Sequence, residues 1–348
     1  MKTSNPLTGS IKFKHSLQAR LLIIVLAITL VPILGLQAYS LLQTSNSLKN
    51  EIMTRFSQVA EDETNYIIQW ENERMMNVKT LASMKEIQSF DVVNAGQILS
   101  QYKDLWGYVE TLALVDSSGI TTINTDNKTI DVRDRAYYIE GMKGIEYIAD
   151  PAISRGTGNV IIVNAVPVQS DGHTLGVVIG NLPIQTIAEQ LSKIDLGETG
   201  EAYLVRQDGT MITTPKYEQF LIDQGLVEET AVLNYQMNTY ASQQIAEGNS
   251  GTAVYTNYAG EKVLGSYAWI EELRWGLVIE QSYDEIMVHV QNLITVSILL
   301  VVVISAIIVT IVFFVTRSIA RSIREMSDIA GKLAEGNLKH KVVVKGKD

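Results

Sequence analysis

The chain has 348 residues, 46% hydrophobic and 19% charged, with a formal net charge of −10. It contains no cysteine, which excludes disulfides, thiolate metal sites and cysteine nucleophiles, so a folded domain here must hold by burial alone. The acidic balance argues against nucleic acid or anionic lipid as a partner of its main body.

The first element is an apolar stretch from Leu21 to about Leu42, beginning LLIIVLAITLVPILGL. It reads as a transmembrane helix over 21–42 behind a short segment, 1–20. A cleaved signal peptide is the alternative, since Ala38-Tyr39-Ser40 resembles a small-x-small site. The apolar run, however, exceeds the usual signal-peptide core of about 7–15 residues.

Residues 43–95 contain neither Gly nor Pro. Within them Ile52, Phe56, Val59, Glu63, Tyr66, Trp70, Arg74, Val78 and Leu81 step three or four apart, predicting one long helix with a mostly apolar face. That stripe needs a partner: the sheets that follow, a second copy of itself, or both.

The chain then becomes strand-rich and repeats. Thr111–Ile123 reads strand, turn, strand around Ser118-Gly119, and Ala202–Ile212 does so around Asp208-Gly209. Leu175–Ile179 ends one hairpin and Arg274–Ile279 another. Two tandem copies of one small α+β unit follow from this, with PIQTIAEQLSK (183–193) as a helical link.

A second apolar run, Leu293–Val315, has 23 residues without a charge. At about 1.5 Å per residue it reaches roughly 35 Å, enough for a hydrocarbon core of roughly 30 Å. Outside the two runs lie twelve basic residues (Lys2, Lys12, Lys14, Arg20, Arg317, Arg321, Arg324, Lys332, Lys339, Lys341, Lys345, Lys347) against four acidic ones, a net of +8. Residues 21–315 therefore carry −18. Lys and Arg stay on the cytoplasmic side, so both termini are expected inside and the acidic middle outside. In the tail, Ile319, Ile323, Met326, Ala330 and Leu333 follow the a/d spacing of a coiled-coil seam, and Gly336-Asn337 ends that helix.

No catalytic constellation is visible. His15, His173, His289 and His340 lack metal-ligand spacing, and neither a G-x-S-x-G elbow nor a phosphate-binding loop occurs. No cofactor or metal is expected. The strongest binding candidate is Arg133-Asp134-Arg135-Ala136-Tyr137-Tyr138: an arginine fork grips a carboxylate, and tyrosines supply apolar walls with a hydroxyl at the rim. The competing reading pairs Arg133 with Asp131 or Asp134 on the surface and puts one tyrosine in the core.

Residues 44–286 resemble a double Cache domain of bacterial chemoreceptors, sensor kinases and cyclases. DVRDRAYY (131–138), YIADP (147–151), LGETGEAYLVRQDGTMITTP (196–215) and GSYAWIEELRWGLVIEQ (265–281) carry the likeness by their order and spacing. The resemblance implies an α+β domain over 43–292: a long helix (43–95), a membrane-distal module (96–182) and a membrane-proximal module (183–290), each a PAS-like antiparallel sheet. It also implies a distal pocket built from Arg135, Tyr137, Tyr138, Asp150 and Asn181. Where amino-acid-binding members carry a tyrosine and an acid after YIxD, this chain has Ala152 and Ser154. The aspartate that meets the ligand ammonium is here Asn181. A carboxylate grip without an amine grip points to a small organic acid or another polar metabolite. Residues 316–348 resemble the first helix and connector of a HAMP relay (Leu338, Val342–Val344, then KGKD at 345–348), with Ser322 where a proline is common and without the second helix of a parallel four-helix bundle.

These readings imply a homodimeric transmembrane receptor of a bacterial inner membrane, which relays a small extracytoplasmic ligand to a cytoplasmic output such as chemotaxis. Any enzymatic output would lie beyond Asp348, and its type is not legible. The alternatives are a membrane-tethered extracellular enzyme, disfavoured by the missing catalytic set, and a structural or adhesion protein, which needs no heptad tail.

Overall fold

The computed structural model describes residues 17–334. Residues 49–287 form one compact unit, and the helical ends on either side of it form another.

The end segments belong to the two longest helices, α1 (Leu17–Ala82) and α8 (Tyr283–Ala334), both long and apolar enough to cross a membrane. Side chains such as Ile28, Leu36, Val302 and Phe314 are exposed there, as a lipid-facing surface requires. Ile319, Ile323, Met326 and Ala330 are exposed on α8, and Leu333 lies in its last turn. Gly336-Asn337, Leu338, Val342–Val344 and 345–348 lie outside the described residues, as do Lys2, Lys12 and Lys14.

In the compact unit, α1 buries Phe56, Ala60, Ile67, Trp70, Val78 and Leu81. Tyr66 is exposed and Ile67 takes its expected place in the core, so the apolar face is rotated by one residue at that point. The expected helix over 43–95 is also shorter than its composition allows. α1 stops at Ala82, a single turn α2 (Lys85–Gln88) follows, and α3 runs Val92–Trp106. Phe90 takes a left-handed conformation (φ 54°), and Asp91 caps α3 by accepting from Val93 N (3.1 Å) and Asn94 N (3.2 Å). Such a cap contributes about 1 kcal/mol and starts a helix without Gly or Pro.

The distal module is a five-stranded antiparallel sheet, β1 (Thr111–Asp116), β2 (Thr121–Asn124), β3 (Tyr147–Ile153), β4 (Val160–Ser170) and β5 (His173–Pro183), in the order β2-β1-β5-β4-β3. Helix α4 (Ala136–Met142) crosses from β2 to β3, and α5 (Gln185–Leu191) leads onward. The proximal module is a four-stranded antiparallel sheet, β6 (Glu201–Arg206), β7 (Gly251–Thr256), β8 (Lys262–Ile270) and β9 (Trp275–Ser282), in the order β6-β9-β8-β7, with α6 (Glu218–Asp223) and α7 (Tyr240–Ala246) between β6 and β7. Strand β9 runs directly into α8.

Alternation along the strands gives the distal sheet two apolar faces. Leu112, Leu114, Ile162, Val166, Val178 and Leu182 share a core with Val78, Leu81, Ile87 and Leu99 of the helices. Ala113, Val115, Ile161, Val163, Ala165 and Ile179 face the other way, toward Val132 and Tyr138.

Candidate ligand-binding site

Alanines interrupt the larger residues on the second face of the distal sheet, where a cavity of about 250 Å³ opens. Cross-strand pairing sets its floor. Thr111 pairs with Asn181, Asn181 with Val163, and Val163 with Ala149. The next row is Ala113, Ile179, Ala165 and Tyr147. Three alanines in these two rows leave space that larger side chains would fill.

The opposite wall is the segment from Ile130 into α4. It lies over the β1–β2 turn, where Val132 N donates to Gly119 O (2.9 Å). Gly119 has φ +76°, and a Cβ there would come within 2.2 Å of Arg133 Cγ, so this approach requires glycine.

The arginines of the segment are sorted by their partners. Arg133 Nε donates to both carboxylate oxygens of Asp131 (3.0 and 3.1 Å) and faces solvent, outside the cavity lining. Arg155, from the loop after β3, grips Asp134 through two hydrogen bonds and donates to Asp131 O (2.6 Å). The Arg133 hydrogen bonds hold the Asp131 carboxyl down at about 2, and the Arg155 hydrogen bonds hold Asp134 below the usual carboxylate range. Arg135 remains: the backbone N-cap of α4, half-buried, lining the cavity, with no ion pair or side-chain hydrogen bond among the described residues.

Tyr137 lines the cavity beside it, its phenol pushed up by burial, with Arg135 acting in the opposite direction. Tyr138 does not. The ring is buried in the core and its hydroxyl donates to Asp116 O (3.2 Å), because consecutive helical residues cannot face the same wall. The expectation that Tyr138 lines the pocket is therefore corrected. Asn181 lies on the floor; its Nδ2 donates to Thr111 Oγ1, and its Oδ1 is buried without a partner. Asp150 is at the exposed rim, 4.0 Å from Arg274 Nη2. Ala152 and Ser154 also line the cavity; the Ser154 hydroxyl accepts from Gly156 N and Thr157 N and shapes the loop that presents Arg155.

Tyr147, Arg155 and Arg206 line the cavity without having been singled out. The alternation of β3 could have assigned Tyr147 to the face of Ala149. Arg206 could not have been found, because it belongs to the other module.

The family model described as Cache domain matches residues 44–290, well over half of the chain. The chain belongs to the Cache domain family. As a Cache domain it resembles, in fold, the ligand-binding domain of the Campylobacter jejuni chemoreceptor Tlp3, solved with 4-methylisoleucine (14% identity, 69% of this chain and 94% of that one, TM-score 0.53). It likewise resembles that of the Pseudomonas aeruginosa amino acid chemoreceptor PctB, solved with L-Arg (18% identity, 68% and 97%, TM-score 0.53). In sequence it is 22% identical to the methyl-accepting chemotaxis protein McpA of Bacillus subtilis, across 96% of this chain and 49% of McpA. The chain spans about half the length of the curated relatives it matches first. Its α+β architecture of one long helix and two antiparallel sheets is that of the Cache fold.

Proposed function

We propose that this Cache domain is the extracytoplasmic ligand-binding part of a transmembrane chemoreceptor, and that its distal cavity binds a small metabolite through a carboxylate. The observation that carries this reading is Arg135: a guanidinium with no ion pair or side-chain hydrogen bond among the described residues, on the wall of a cavity whose floor includes Ala113 and Ala149. An unpaired cation beside apolar walls is unfavourable alone and favours an anionic ligand. Tyr137, Asp150 and Asn181 complete the reading as a ring wall, a rim acid and a floor acceptor. Organic acids and amino-acid-like molecules fit this set. The amino acids named with Tlp3 and PctB support the second class, and the uncharged Asn181 supports the first.

The membrane arrangement follows charge. Basic flanks keep both termini in the cytoplasm, and the apolar parts of α1 and α8 form the two spans. Ligand binding shifts β9 and with it α8, and the seam at Ile319, Ile323, Met326, Ala330 and Leu333 repacks against a second copy as the first helix of a HAMP relay. Output then passes to cytoplasmic chemotaxis partners; the chain itself performs no catalysis.

The register supplies the experiment. In the proximal sheet the position equivalent to Ala113 is Tyr203, fully buried. Ala113→Tyr should plug the distal cavity. In a thermal-shift screen of small carboxylates, wild type should respond and Ala113→Tyr should not, with its own melting temperature near wild type. Equal responses would place the ligand elsewhere.

A further inference from the structure

Three arginines line the distal cavity: Arg135, Arg155 and Arg206. Arg155 is committed to Asp134, and Arg135 has no ion pair or side-chain hydrogen bond among the described residues. Arg206 is the last residue of β6, the first strand of the proximal sheet. Its Nη2 donates to Pro151 O, and its Nε is buried without a partner. Pro151 lies in the irregularity of β3, where the register with β4 shifts between Ala149 and Ala152. A second proximal arginine reaches the same strand, Arg274 Nη2 lying 3.5 Å from Tyr147 Oη and 4.0 Å from Asp150 Oδ1. The rim acid of the cavity is thus drawn to Arg274, and two cationic groups, from different modules, are left facing the cavity.

We propose that Arg206 is the second anion-binding group of the distal cavity, so that the preferred ligand is a small dicarboxylate bridging the two modules. This rests on the reading of the cavity as the ligand site with Arg135 as its first grip. Ala113, Ile161, Val163 and Ile179, which line the same cavity, suit a short methylene chain. A carboxylate that displaces Pro151 O can take two parallel N–H groups of the Arg206 fork, the buried, unpartnered Nε–H included. The bridge also has a mechanical consequence. Arg206 pairs with Trp275 across the β6–β9 ladder, and β9 continues into α8 at Tyr283. A ligand that pulls on Arg206 pulls on the strand pair that leads to α8. A monocarboxylate on Arg135 leaves Arg206 on Pro151 and lacks that coupling.

The test uses the full chain in nanodiscs and isothermal titration with propanedioate to hexanedioate, against the monocarboxylates of the same carbon number. Wild type should bind at least one dicarboxylate roughly tenfold more tightly than its monocarboxylate counterpart. Arg206→Gln should abolish that preference by weakening dicarboxylate binding far more than monocarboxylate binding, and Arg206→Lys, which keeps the charge without the fork, should retain part of it. Wild type without a dicarboxylate preference, or a preference that survives both variants, overturns the proposal. Should Arg206→Gln fail to fold, Arg206→Lys decides alone: a full preference in that variant overturns the proposal. Arg135→Gln separates this from the underlying reading. If it weakens both ligand classes while Arg206→Gln weakens neither, only the dicarboxylate bridge falls. If it weakens neither class, the cavity assignment falls with it.

Discussion

Glu201 and Glu280 face each other across the β6–β9 ladder, at the positions that Thr111 and Asn181 hold across β1–β5. The two modules share a register and differ in filling. Distal Ala113 corresponds to proximal Tyr203, which is fully buried, and Tyr255 and Tyr258 close over the carboxylates. Tyr255 Oη donates to Glu280 Oε2 (2.8 Å) and Tyr258 Oη to both oxygens of Glu201 (2.8 and 2.9 Å). Gly265, paired with Glu280, leaves the room that the Tyr255 ring occupies. One module is hollow, and this face of the other is plugged by its own side chains.

The plug makes stability depend on pH. Burial, then the facing Glu201, pushes the Glu280 carboxyl up to about 8; burial pushes Glu201 up to about 7, and Glu71 in α1 likewise to about 7. Folded values above the unfolded one mean that the native state holds extra protons. The stabilisation is therefore complete below about pH 4.5 and is lost as pH rises through 7 to 8. The melting temperature should fall between about pH 6 and pH 9, and Glu280→Gln should flatten that slope. A melting temperature that rises over this interval would contradict the assignment.

The amide on the cavity floor is expected to set a preference between ligand classes. Asn181 Oδ1 has no partner, and its neighbour Thr111 has a hydroxyl that can donate to a carboxylate, so Asn181→Asp should fold. It should improve binding of α-amino acids over their des-amino analogues by roughly tenfold, since it restores a charge for the ammonium. Competition titration reads the ratio; a ratio equal to that of wild type would remove Asn181 from the site.

The membrane arrangement is open to two measurements on the full chain. Reporter fusions after residue 20 and after residue 330 should score as cytoplasmic, and an insertion at Gly248 as external; an internal signal at Gly248 would invert the topology. Single cysteines at Ile323 or Met326, introduced into this cysteine-free chain, should crosslink to a second copy more readily than one at Arg324. Preferential crosslinking at Arg324 would rule out the parallel seam.

Much of the fold was legible because its signals are local. Ser118-Gly119 and Asp208-Gly209 mark the hairpin turns, and the repeat of β1 in β6 is visible by eye. The break after Ala82 was not read, because no Gly or Pro marks it and α3 starts afresh on the Asp91 cap. In the candidate site, one motif pointed to Arg135 and Tyr137, which both line the cavity. Tyr138 was misassigned because side-chain direction depends on the helix phase of α4, which begins only at Ala136. Arg206 was invisible because the residue that completes the wall lies 71 positions beyond Arg135 and in the second copy of the repeat.

Arg135, and not its neighbours, is the proposed anchor of the ligand. Isothermal titration of wild type, Arg135→Ala and Arg133→Ala with the tightest carboxylate from the screen tests it most directly. Arg135→Ala should lose at least roughly tenfold in affinity with an unchanged melting temperature, as removal of a charge-assisted bond requires. Arg133→Ala, which breaks only the exposed pair with Asp131, should bind as wild type does. Undiminished binding by Arg135→Ala would contradict the account.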